Sequence, residues 1–205
     1  MHIIPRSILI FCLLCVPYCL HAAEETSKTA VVKTLGERTF LEGSWKIQLG
    51  DDMKYAAPEF DDRSWEEVGL PGSLMSLVHE KTGGVKGVLW LRKTVYFDYN
   101  LPKEDIGLIL GRIAQADETY FNGEKIGGMG GFPPEDHSMW NHPRHYRIHK
   151  TLIRYGRPNV IAVRLSYHIY GEVLGTLALA NLDDWTTNRM LMNAIMIVLC
   201  YAAIV

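Results

Sequence analysis

The stretch Tyr120-Phe121-Asn122-Gly123-Glu124-Lys125-Ile126 constrains the fold of this chain more than any other. An Asn-Gly pair between two strand-like runs favours a type I′ turn, which needs positive φ at both central residues. Asparagine tolerates that conformation, and glycine has no Cβ to clash. The spacing therefore predicts two antiparallel strands, over residues 116–121 and 125–127. Gly127, Gly128, Gly130, Gly131 and the pair Pro133-Pro134 end the second strand and open a long loop.

The rest of the chain keeps the same short rhythm. In Gly43–Leu49, Trp45, Ile47 and Leu49 alternate with Ser44, Lys46 and Gln48, the period of a half-buried strand. Residues 60–65 read as one helical turn capped by an Asp, with Trp65 inward. Residues 68–70 read as a short strand, and 74–87 as a loop with room for one helical turn. The longest predicted strand covers 88–97, with Leu89, Leu91, Val95 and Phe97 on one face. Ile106, Leu108 and Leu110 share a face of the next strand. Further strands are expected at 145–149, 159–167 and 174–182, with a short helical turn closed by Gly156 between the first two. About nine short strands, close turn signals and no sustained helical period predict an all-β fold. An antiparallel β-sandwich of jelly-roll type fits that pattern.

The two ends read differently. Arg6, the apolar run 8–16 and the small residues after Leu20 predict a signal peptide over 1–23, with a retained signal anchor as the alternative. Cys15 and Cys19 raise a lipoprotein, but Leu14 and Tyr18 stand where a lipidation site wants a small residue. Cleavage would remove three of the four cysteines and leave only Cys200, so the exported domain is expected to hold no disulfide. Residues 24–39 are polar and read as a linker, and 40–183 as the sandwich. Residues 184–205 read as a juxtamembrane segment and the start of a transmembrane helix, since 190–205 carry no charge and follow Trp185 and Arg189. This topology places the sandwich in the periplasm or outside the cell. A formal net charge of −2 and the absence of any run of basic residues argue against a nucleic-acid partner.

Four pieces then line up in order: Trp45 with Phe60-Asp61-Asp62-Arg63-Ser64-Trp65 and Leu70-Pro71-Gly72; Trp90-Leu91-Arg92-Lys93-Thr94; residues 116–127; and Gly156 with Asn159-Val160-Ile161-Ala162-Val163-Arg164. Together they resemble the N-terminal sugar-binding jelly roll, of galactose-binding-like fold, of glycoside hydrolase family 2. In that family the catalytic acids lie in a separate barrel domain, so the resemblance implies a segment without catalysis. The stretch from Tyr167 to Gly175 departs from the family's run of glycines. A signal peptide, a sandwich and a membrane helix in sequence also resemble bacterial seven-transmembrane receptors. That setting implies a ligand-sensing domain, with a cyclase, kinase or phosphatase as output further along a longer chain. A structural or protein-docking jelly roll is one alternative, and an accessory domain of a glycoside-hydrolase-like protein is another.

Sugar sites pair aromatic faces with planar polar groups, because C–H faces stack on rings and hydroxyls need paired donors and acceptors. The candidate ligand-binding residues are Trp140, His142, Arg144 and Tyr146 around the long loop, Tyr167 and Tyr170 from a neighbouring loop, and Asp117. Asp117 has a second reading, as a cap of a loop over residues 111–114. The expected partner is a small molecule of saccharide type, with a homodimer left open. No cofactor is expected. Among the histidines, His145 and His149 would lie about 13 Å apart along one strand, too far to share zinc. Calcium held by Asp51-Asp52 or Asp61-Asp62 is an alternative metal reading. A catalytic pair such as Glu80 with Glu118 has no supporting spacing, and no nucleophile or phosphate-loop motif occurs.

Overall fold

A computed structural model describes residues 29–83, 86–135, 137–168 and 171–182. The segment read as a signal peptide, the apolar run 190–205 and Tyr170 lie outside these residues. Among the described residues no helix is long and apolar enough to cross a membrane.

The strands, in chain order, are β1 (Ala30–Val32), β2 (Thr39–Phe40), β3 (Gly43–Leu49), β4 (Glu66–Leu70), β5 (Gly72–Ser73), β6 (Gly87–Phe97), β7 (Ile106–Ile113), β8 (Asp117–Phe121), β9 (Glu124–Met129), β10 (Pro143–Ile148), β11 (Pro158–Tyr167) and β12 (Glu172–Asn181). They form two sheets. One runs β4-β3-β6-β11-β8-β9 with β1 beside β6, and the other runs β10-β7-β12-β2 with β5 beside β12. All pairings are antiparallel except β1 with β6. The architecture is a β-sandwich. Leu89, Leu91, Val95 and Phe97 of β6 meet Ile106, Leu108 and Leu110 of β7 in its core, with Trp45, Ile161 and Val163.

The Asn-Gly turn forms as expected. Asn122 has φ 50° and Gly123 φ 88°, and β8 pairs with β9 across them. Four readings are corrected. The polar stretch 24–39 contributes strands, because Ala30–Val32 lies in register against Val95–Phe97 and Val32 is buried. Residues 75–82 form an eight-residue helix, α1 (Met75–Thr82), rather than a loop with a single turn. Its apolar face is thin, only Val78 being buried, and Gly83 stops it in the left-handed conformation. The helical turns fall earlier than expected, at Met53–Ala56 and Lys150–Leu152. His149 caps the second of these rather than continuing β10.

Trp65 is buried, but not between the sheets. It packs with Tyr55, Phe60, Trp90 and Tyr120 in a second cluster on the outer face of the larger sheet. The segment 53–65 that covers this face is held by Arg92. Its guanidinium donates to Asp62 at 2.7 Å and to the carbonyls of Tyr55, Ala57 and Phe60. Buried arginines are tolerated when every donor nitrogen finds an acceptor in this way.

Candidate functional site

At one end of the smaller sheet the regular ladder breaks. Pairing shifts register between Leu174 and Leu177 on β12, and between Pro143 and His145 on β10. Both irregularities flank Gly111 of β7, which takes φ +58°. A Cβ there would lie 2.1 Å from the Leu174 carbonyl oxygen, so only glycine fits. A bulge of this kind re-aims the side chains beyond it. Ile113 turns into the core, while Arg112 turns out to solvent beside Leu174.

Arg112 forms one wall of a cleft of about 540 Å³, with Ala114, Gln115, Ser138, Trp140, Glu172 and Leu174. That volume lies within the range of small-molecule sites. Trp140 is 63% exposed and Leu174 41% exposed, the large apolar surfaces of the cleft. Among the described residues Arg112 and Glu172 enter no ion pair, so both keep their hydrogen-bonding capacity for a ligand. The two sides of the cleft are tied together. Ser138 Oγ donates to the Ala114 carbonyl at 2.9 Å, and the Ala114 N–H donates to the Glu172 carbonyl at 3.0 Å.

Of the residues expected at a ligand, Trp140 lines this cleft and His142 is exposed nearby. Asp117, Arg144 and Tyr146 are brought together, but beneath the surface. Arg144 is 0% exposed and Asp117 1%. Arg144 Nε donates to Asp117 Oδ1 at 2.7 Å, while Tyr146 Oη and Thr119 Oγ1 donate to Asp117 Oδ2 at 2.7 and 3.0 Å. The reading of Asp117 as a cap of residues 111–114 is therefore corrected: its acceptors are filled by three side chains, and residues up to Ile113 belong to β7. Burial raises the Asp117 carboxyl above its ordinary range, against the pull of Arg144 and Tyr146. Burial and the Asp117 charge raise the Tyr146 phenol as well. Tyr167 is also buried, in the main core, against Gly87.

A second, more open groove of about 700 Å³ runs beside β9, along Gly127–Gly131 and past Arg164. Apart from Glu135, the charges that line it are paired. Arg164 donates to Asp51 and Glu118 and stacks 4.0 Å above the Phe132 ring, and Lys125 pairs with Glu118. Burial alone would raise the Glu118 carboxyl, but Lys125 and Arg164 hold it below its ordinary range. The Asp residues considered for calcium are likewise each matched to a cation: Asp51 to Arg164, Asp52 to Lys54, Asp61 to Arg63 and Asp62 to Arg92. Among the described residues no group of three His, Cys, Asp or Glu side chains is placed to hold a metal.

Arg112, Gln115, Ser138, Glu172 and Leu174 were not expected at a site. Glu172 and Leu174 fall in the stretch that departs from the family's pattern, which was the one signal pointing at them.

No protein-family model matches the sequence. A β-galactosidase of Bacteroides ovatus is 31% identical over 140 residues, which is 63% of this chain and 15% of that enzyme. Among solved structures, a β-glucuronidase of Bacteroides uniformis matches with TM-score 0.56 at 19% identity, over 70% of this chain and 17% of that one. A glycoside hydrolase family 2 member from Bacteroides cellulosilyticus matches with TM-score 0.56 at 18% identity, over 70% of this chain and 21% of that one. The chain thus spans only about a sixth to a fifth of these relatives. Sequence motifs, strand content and these likenesses agree that the described sandwich resembles the N-terminal sugar-binding domain of glycoside hydrolase family 2.

Proposed function

We propose that this chain is a non-catalytic accessory domain of a glycoside-hydrolase-like protein, a jelly roll of galactose-binding-like type that holds a saccharide in the Trp140 cleft. The observation that carries this reading is the exposed Trp140 ring in one cleft with Arg112 and Glu172, two planar charged groups that enter no ion pair among the described residues. A sugar face stacks on the ring while guanidinium and carboxylate take hydroxyl pairs. Calorimetry of the full chain against a glycan panel tests it. Wild type should bind, and Trp140→Ala should lose on the order of 1–3 kcal/mol, the worth of aromatic stacking on planar ligands. If no glycan binds while the protein self-associates or retains a protein partner, the docking reading stands instead.

The apolar runs at 8–16 and 190–205 favour a second reading, in which the same domain senses its ligand outside the cell for a membrane-anchored signalling protein. Reporter fusions after Asp184 should then be active in the periplasm and silent in the cytoplasm.

A further inference from the structure

The segment between β9 and β10 carries Trp140 and, among the described residues, contains no strand. Its backbone hydrogen bonds among the described residues are local, the Gly131 N–H to the His137 carbonyl, Glu135 to Phe132, and His142 to Met139, and Ser138 Oγ ties it to the Ala114 carbonyl at one point. Local turns of this kind shape a loop without fixing where it stands against the sandwich. Arg144, the second residue of β10, adds constraints on both sides of Trp140. Its Nη1 donates to the carbonyls of Met139, at 2.7 Å, and His142, which flank Trp140. Its Nη2 donates to the carbonyl of Gln115 at 2.7 Å, in the turn between β7 and β8 that also lines the cleft. One rigid, planar guanidinium thus sets the spacing between the Trp140 loop and that turn. Asp117 takes Nε and so turns the fork toward the three carbonyls, while Thr119 and Tyr146 fix Asp117 in turn.

We propose that Arg144, oriented by Asp117, is a positioning residue for the saccharide cleft, acting through Trp140 and Gln115 without touching the ligand. This rests on reading the cleft as a saccharide site. A purely structural Arg144 would change how much protein folds, and the folded fraction would bind as before. A positioning residue changes the affinity of that folded fraction.

Arg144→Lys is the informative variant. It keeps a cation beside Asp117 but cannot span a carboxylate and three carbonyls. Displacing a wall by about an ångström costs on the order of 10-fold or more where geometry carries the interaction. Two readouts are needed, both on folded protein. The first is affinity for the best glycan, in wild type, Arg144→Lys, Trp140→Ala and the double variant. The second is acrylamide quenching of Trp140, isolated by subtracting, in each background, a Trp140→Phe reference that keeps the other four tryptophans. The expected result is at least a 10-fold weaker complex for Arg144→Lys, greater quenching, and a double variant little worse than Trp140→Ala, because coupled sites are non-additive. Wild-type affinity and quenching in folded Arg144→Lys overturn the proposal. If Arg144→Lys does not fold, Tyr146→Phe removes a bond that fixes Asp117 beneath the cleft and should shift both readouts in the same direction; no shift in folded protein overturns the proposal. If no glycan binds wild type, the saccharide reading fails, and quenching alone still decides whether Arg144 places the Trp140 loop.

Discussion

Gly111 shows how much one backbone conformation decides. With φ +58° and the Leu174 carbonyl 2.1 Å from where a Cβ would stand, it lets β7 approach β12 closely enough to form the bulge. Gly111→Ala should destabilise the fold by about 1–3 kcal/mol through overpacking, read as a lower urea midpoint. An unchanged midpoint would show that the bulge tolerates a side chain. The same residue explains what was illegible. Strict alternation from Leu108 and Leu110 predicts Arg112 inward, and the bulge reverses that by one residue. Trp140 was legible, since an aromatic in a polar, glycine- and proline-flanked loop has few places to hide. Asp117, Arg144 and Tyr146 were legible as chemistry but not as location. A buried, mutually satisfied cluster and a sugar-binding cluster draw on the same residue types, and a sequence shows only the types.

At the scale of elements, the hairpin and the helix α1 make opposite cases. The hairpin was readable because its turn carries its own requirement for positive φ. The structure adds that Asn122 is also a fastener. Its amide donates to the Leu152 carbonyl and to Asn159 Oδ1, both at 2.8 Å, and its Oδ1 accepts from the Val160 N–H at 2.9 Å. Asn122→Ala should cost about 2–4 kcal/mol, since three bonds are lost and partly buried partners go unanswered. Thermal unfolding checks this, and a loss below about 0.5 kcal/mol would put the value of these bonds in doubt. The helix α1 was missed because it buries a single side chain, Val78, and so writes no 3.6-residue pattern. Strand β1 was missed for a related reason. Three residues are too few to show alternation, and their partner, β6, lies more than sixty positions later.

For the whole molecule, composition and punctuation were enough to predict a sandwich, but not the order of strands within each sheet, which depends on pairings far apart in sequence. Its response to alkali follows from burial. Tyr120 is pushed up to about 12, chiefly by burial and then by Glu118, and Tyr146 is raised further still. Both phenols are therefore held neutral in the folded state. The Tyr120 contribution is complete below the ordinary tyrosine value of 10.0 and is lost as pH rises from there towards 12. Denaturation at stepped pH should show stability falling above pH 10, less steeply in Tyr120→Phe; equal slopes would exclude Tyr120 from the effect. The placement of β12 has a mechanical consequence. Arg112 stands opposite Leu174 near one end of the β7–β12 ladder, and Asn181 opposite Ile106 at the other, about 20 Å away along the strand. Tension applied along β12 at Asn181 would load that ladder in shear, far from the cleft. The grip on a bound ligand would then outlast small tugs at that end and fail only when the ladder slips.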